Sequence, residues 1–312
     1  MELKPSENTQ LYGMSNFFNE ITKLYNENKM PTKILLSGKK GIGKSTLAYH
    51  IINFILSINE EFKYDSVNLT IDKKNRSFKL LQNNSHPNFY LIDLLNDKKN
   101  IDIAQIREMI IYTNKSTFDN MAKFILIDNI ENLNKNSVNA LLKVIEEPNE
   151  NVFFILVSNN EKKILPTLKS RCLTFKINFT FEEIINISNQ ILDKNMLNHI
   201  NHDLVNYYNT PGLFVDLFIF SKAKNINLND YTLVDFLNLL IENGYYKKNI
   251  FVKNILINFI ELFFLKQYKL TKTKGSLLNF YHIFIDKINN TEKFNLDEES
   301  LFLEFKSKLL NG

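Results

Sequence analysis

Gly38, Gly43, Lys44 and Ser45 stand in the order G-x-x-x-x-G-K-S, between the apolar run ILLS at 34–37 and a helical stretch reaching residue 56. Such a turn, with Gly41 inside it, aims backbone N–H groups and the positive end of the following helix at phosphate oxygens. Lys44 then reaches the β- and γ-phosphates of a nucleotide, Ser45 ligates Mg²⁺, and Thr46 completes the binding set. A second apolar run, FILI at 124–127, ends in Asp128, whose carboxylate would orient the same Mg²⁺. Hydrolysing proteins of this type usually carry a glutamate directly after that aspartate. Here Asn129 follows, and an amide accepts no proton at neutral pH, where loss of a general base costs about 10²–10⁴ in rate. Glu131, two residues on, reads as a solvated surface charge. The residues suffice to hold a nucleotide better than to hydrolyse it.

These groups need elements to position them. Strands are predicted at 34–37 (ILLS), 89–93 (FYLID), 124–128 (FILID), 152–158 (VFFILVS) and 173–177 (LTFKI). Each is a continuous apolar run, as expected of parallel strands covered on both faces. Helical patterns alternate with them; in SVNALLKVIEE, Val138, Leu141, Leu142 and Ile145 recur at helical spacing. Strand–helix alternation predicts an α/β domain with a parallel five-stranded sheet. Near residue 180 the texture becomes wholly helical, opening on a capping box at Thr180 and Glu183 before Ile184, Ile187 and Ile191. A further break falls at 222–232. The expected organisation is therefore a nucleotide-binding domain at 1–178, a small helical lid domain at 179–224 and an all-α domain at 225–312. The polar segment 58–86 gives no readable pattern.

The 312 residues include 26 Phe, 13 Tyr, no Trp and a single cysteine, Cys172. One cysteine forms no intrachain disulfide and no cysteine zinc cluster, and it fits a reducing, cytoplasmic setting. Cys172 itself reads as a small buried residue. A net charge of +4 permits a polyanionic partner without arguing for one. The first ten residues lack the apolar core of a signal peptide. The most apolar late stretch, IFVKNILINFIELFFLKQY, is interrupted by Lys253, Asn254, Asn258 and Glu261 on one helical stripe. That pattern fits a buried helix rather than a membrane span, which needs about 18 uninterrupted apolar residues.

The run ALLKVIEEP followed by Ser170–Arg171–Cys172 resembles the clamp-loader ATPases of the AAA+ class, and among them the delta-prime subunits of bacterial DNA polymerase III. The stretches HPNFYLID from His86 and IDIAQIREM from Ile101, and the Thr210–Pro211–Gly212 tripeptide, agree. The resemblance covers roughly residues 10–220. It implies a P-loop AAA+ domain, the lid, and a C-terminal collar that joins subunits in a ring. It further implies that Arg171 is an arginine finger for a neighbouring subunit's ATP site and that Asn159 is the sensor 1 residue reading the γ-phosphate. Arg107 matches a position that often faces primer–template DNA, and Lys143 could lie near the same channel. Implied ligands are ATP or ADP with Mg²⁺, and no zinc, since the four-cysteine module of many relatives is missing. Implied partners are gamma/tau-like motor and delta-like subunits, the sliding clamp and DNA, with no membrane.

Motor subunits carry a sensor 2 arginine near the position of Val215, so its absence, with Asn129, favours a stator-like delta-prime role during replication. An ATP-hydrolysing gamma/tau-like motor, a P-loop small-molecule kinase and a pure interaction module with a vestigial loop are the other readings.

Overall fold

The computed structural model describes residues 4–95, 98–115, 121–159, 164–247, 249–270, 274–294 and 297–310. The chain divides into two compact units, residues 1–191 with 210–212, and residues 192–209 with 213–312.

In the first unit the order is α1 (Ser15–Asn26), β1 (Lys33–Ser37), α2 (Lys44–Leu56), α3 (Arg76–Gln82), β2 (Phe89–Ile92), α4 (Ile103–Thr113), β3 (Lys123–Ile127), α5 (Lys135–Glu146), β4 (Val152–Ser158), α6 (Pro166–Lys169), β5 (Leu173–Lys176) and α7 (Phe181–Leu192). The five strands form one sheet in the order β2-β3-β4-β1-β5, and every pairing is parallel. All five strands expected from the sequence are present, within a residue or so at their ends.

Alternate side chains of the central strands enter two separate cores. Ile34, Leu36, Phe124, Leu126, Ile155 and Val157 pack on the α1/α2 side. Leu35, Ile125, Ile127, Phe154 and Leu156 pack on the side of α4 and α5. Burial on both faces is why these strands read as unbroken apolar runs. β5 departs from that expectation: it is an edge strand, and Leu173 is 45% exposed while Phe175 is buried.

The segment that resisted reading is organised by one side chain. Asn75, fully buried, accepts from the Phe78 N–H at 2.6 Å as the N-cap of α3. It also accepts from Asn53 Nδ2 on α2 at 3.0 Å and donates to the Phe62 carbonyl at 2.7 Å. Glu60 adds its carboxylate to the start of α3, accepting from the Arg76 N–H at 2.9 Å and from Ser77 Oγ at 2.5 Å. The segment is thus tied to α2 through polar groups, and its buried Tyr64, Ile71, Phe78 and Leu81 are too widely spaced to show a period.

α7 opens on the expected capping box, with Thr180 N–H donating to Glu183 Oε2 at 2.7 Å and Glu183 N–H to Thr180 Oγ1 at 3.3 Å. The second unit contains α9 (Leu233–Glu242), α10 (Ile250–Leu270), α11 (Lys274–Phe294) and α12 (Glu298–Phe305), and most of α8 (Pro211–Lys224). Its core is aromatic: Phe263, Phe264, Phe284 and Phe305 meet at centroid distances of 5.3–6.1 Å, a spacing at which edge and offset ring contacts are favourable. On α10 the expected polar stripe lies outside that core, with Glu261 exposed and Lys253 paired to Glu298 at 2.5 Å. No described helix is long and apolar enough to cross a membrane.

Replacing Asn75 by alanine removes one helix cap and two buried hydrogen bonds, each worth about 1 kcal/mol. The expected loss in urea unfolding is about 2–3 kcal/mol, with new proteolytic cleavage confined to residues 58–86.

Candidate nucleotide-binding site

The loop between β1 and α2 has the backbone that its glycines permit. Gly41 and Gly43 have φ of 77° and 97°, the left-handed region that side chains with a Cβ avoid. A Cβ on Gly38 would come within 2.5 Å of the Ile177 carbonyl. Gly212 donates its N–H to the Gly41 carbonyl at 2.8 Å, and a Cβ there would meet the Gly41 backbone at 2.8 Å. The TPG tripeptide therefore buttresses the loop through bare backbone.

Lys44 is buried, 3% exposed, and its ammonium donates to the Lys39 carbonyl at 2.6 Å, so the charge already sits curled against the loop. Ser45 Oγ donates to Asp128 Oδ2 at 2.5 Å. Thr46 Oγ1 accepts from Asn8 Nδ2 at 3.3 Å. A glycine cradle that tolerates no Cβ, a fixed ammonium, and a hydroxyl–carboxylate pair of hard oxygens suit a nucleotide phosphate chain with Mg²⁺.

Around Asp128 lies a row of polar groups at the ends of β2, β3 and β4. The Asn129 backbone N–H donates to Asp128 Oδ1 at 2.8 Å. Asn129 Nδ2 donates to Asp93 Oδ1 at 2.7 Å, while Asn129 Oδ1 accepts from Asn159 Nδ2 at 2.6 Å. Asn159 is thus joined to Asp128 through Asn129. Glu131 corrects the expectation of a solvated charge: it is 9% exposed and accepts from the Asn159 N–H at 3.1 Å. Asn129 has φ 54°, and this left-handed residue reverses the local direction, so that spacing along the sequence misplaces Glu131. Asp93 was also missed as a site residue, although a carboxylate at the carboxyl end of a parallel strand is itself a signal.

Burial pushes the Asp128 carboxyl up to about 6, helped by the negative charge of Asp93 and opposed by the Ser45 hydrogen bond, the Asn129 N–H and the Lys44 charge. Burial also raises Tyr49, with the charges of Asp128 and Asp93 adding to the effect.

Other candidates lie apart from this row. Arg171 is at the surface, its guanidinium donating to the Thr167 carbonyl at 2.8 Å and pairing with Glu146 at 2.7 Å. Cys172 beside it is half-buried rather than buried; burial pushes its thiol up to about 11, away from reactivity. Arg107 and Lys143 are exposed on α4 and α5. Val215 is buried in α8. Among the described residues no cluster of His, Cys, Asp and Glu is arranged to hold a metal ion unaided.

Residues 13–180 match the family model of the DNA polymerase III, delta subunit. The chain is 34% identical over 193 residues to the DNA polymerase III subunit gamma of Buchnera aphidicola subsp. Schizaphis graminum, covering 61% of this chain and 50% of that one. It is 29% identical to the subunit delta' of the same organism, covering 53% and 48%. A DNA polymerase III gamma subunit-related protein from Thermotoga maritima has a similar structure, at 16% identity and TM-score 0.46 over 91% of this chain and 96% of that one. The chain spans about half the length of the curated relatives it matches.

Native Asp128 keeps its proton up to about pH 6, whereas a carboxylate of the unfolded chain releases it near 3.8. Between about pH 4 and 6 the native state binds more protons, so this residue's contribution to stability is lost as pH rises through that window. The shift corresponds to about 3 kcal/mol. Thermal unfolding across this range is expected to show Asp128→Asn gaining on the wild type by about that amount as pH rises. Mg²⁺–nucleotide affinity of the wild type should strengthen over the same window.

Proposed function

The chain belongs to the DNA polymerase III, delta subunit family, and on that premise we propose that it is a delta-prime-like subunit of the polymerase III clamp loader. It holds ATP or ADP with Mg²⁺ in the 38–46 loop and hydrolyses it weakly or not at all. It donates Arg171 to the ATP site of a neighbouring gamma/tau-like motor, so that the sliding clamp is loaded onto primed DNA. A delta-like subunit, the clamp and primer–template DNA are its other partners, Arg107 and Lys143 being the candidates for DNA contact.

The observation that carries this reading is the state of Asn129. The position beside Asp128 that should present a free carboxylate presents an amide tied at both ends, to Asp93 and to Asn159. Lys44 would neutralise phosphate charge, Ser45 and Asp128 would hold Mg²⁺, and Asn159 would read the γ-phosphate. Bound Mg²⁺ would supply charge neutralisation at the β- and γ-oxygens. Of these residues only Asp128 is an acid, and Ser45 and the Asn129 N–H engage its two oxygens.

Arg171 suits a role in trans. Its pairing with Glu146 is exposed, with side-chain exposures of 37% and 50%; an exposed pair of this kind is worth about 0–1 kcal/mol. The guanidinium can therefore exchange Glu146 for a partner's phosphate at little cost.

A second reading, a gamma-like motor, is favoured by the intact phosphate loop and by the higher identity to the gamma relative, 34% against 29%. The small-molecule kinase loses support, since the relatives reported above are replication proteins.

In a reconstituted complex with clamp and primed DNA, Arg171→Ala is expected to lower turnover at the adjoining motor site at least about a hundredfold, within the usual worth of such a finger. Unchanged turnover in an assembled complex would remove Arg171 from that role. For the chain alone, ATP titration should show binding with negligible hydrolysis, and brisk turnover would favour the motor. Asn129→Glu by itself should restore little, because the new carboxylate faces Asp93; pairing it with Asp93→Asn should restore more.

A further inference from the structure

Glu131 lies in a short 3-10 turn, Ile130–Asn132, that follows the left-handed Asn129. The turn drives its side chain inward, where one oxygen, Oε1, accepts from the Asn159 backbone N–H at 3.1 Å. The other oxygen, Oε2, is buried and has no hydrogen-bond partner among the described residues. Asn159 is therefore gripped twice, at its backbone by Glu131 and at its side chain by Asn129.

A buried oxygen of a carboxylate without a donor loses its hydration and gains nothing in exchange. Unsatisfied groups of this kind are uncommon in native structures and call for a cause such as a bound water or ligand. If the only task were to satisfy the Asn159 N–H, a neutral acceptor would do so without burying a charge. Among the described residues no group supplies that donor. Glu131 shares its network with the nucleotide candidates: Asn159 contacts Asn129, and Asn129 contacts Asp128, the partner of Ser45.

We propose that Glu131 is a positioning residue for triphosphate recognition. It fixes Asn159 where a γ-phosphate is read, through the bond to its backbone N–H. This rests on Asn159 acting as the sensor, as in the function proposed above, and adds a residue outside the phosphate loop and the Asp128 strand. A diphosphate leaves Asn159 unused, so the role of Glu131 shows in the difference between the two nucleotides.

The test is calorimetric titration of the full chain with Mg²⁺ and either ADP or a non-hydrolysable ATP analogue. Glu131→Ala and Glu131→Asp withdraw the acceptor from the Asn159 N–H. Both are expected to weaken analogue binding about tenfold, the worth of one hydrogen bond to a charged group, with ADP changed less than about twofold. Glu131→Gln is close to isosteric and can keep an oxygen on the Asn159 N–H while the other end becomes a donor. It should lose less analogue affinity than Glu131→Ala and guards against loss of fold, checked by thermal unfolding. Equal losses for ADP and the analogue, or no loss in any folded variant, would assign Glu131 a structural role only and overturn the proposal. A wild-type chain that binds both nucleotides without preference overturns the sensor reading of Asn159, and binding of neither overturns the nucleotide site itself. An altered ratio confined to the variants upholds both.

Discussion

The carboxylate of Asp128 is buried at the end of a parallel strand, with the Ser45 hydroxyl 2.5 Å away and the charge of Asp93 close enough to be felt. Much of the first unit can be understood as what is needed to keep it there. The sheet order sets β4 between β1 and β3, and the carboxyl ends of the strands are the usual place for a ligand in such sheets. Ser45 and Asp128 are 83 residues apart in sequence and meet only because this order brings them together. The loop between β1 and α2 must then turn tightly enough to present Lys44 and Ser45. Gly41 and Gly43 allow that, and Gly212 props it from outside.

A negative charge so placed needs compensation, which comes from the Ser45 hydroxyl, the Asn129 backbone N–H and the Lys44 charge. Asn129 is linked to Asp93 and Asn159, and Asn159 to Glu131. In this row the amide at 129 is no isolated replacement for an acid. A glutamate there would set a second carboxylate against Asp93, and like charges at hydrogen-bond distance raise each other's proton affinity. The amide at 129 and the carboxylate of Asp93 form one electrostatic arrangement. The surface position of Arg171 completes the division of labour proposed for the chain: a site for its own ligand, and a guanidinium available to another's.

The strands and the phosphate loop were legible because each is dictated locally. Ile34, Leu35 and Leu36 are all buried since both faces of β1 are covered, and helices pack on either side. The capping box at Thr180 is likewise a matter of residues three apart. Residues 58–86 were opaque because their order comes largely from Asn75 and Glu60 bonding backbone within the segment, with only scattered apolar residues in the core. Cys172 and β5 were read as more enclosed than they are, since nothing in the run LTFK distinguishes an edge strand from a central one.

By itself, then, the sequence determined the chemistry available: a glycine-rich turn opening a helix, an aspartate ending a buried strand, an asparagine directly after it, an arginine before the last strand, and the family that unites them. These are short-range patterns, set by turn geometry and by burial of neighbouring side chains. Only the tertiary structure decided which polar groups share a site. One left-handed residue, Asn129, turns Glu131 from solvent to the interior, and the order of strands brings Asp93 and Asn159 to the same amide. Hydrogen bonds between residues some 30 to 80 positions apart depend on how the sheet is threaded, and threading leaves no mark in the residues it joins.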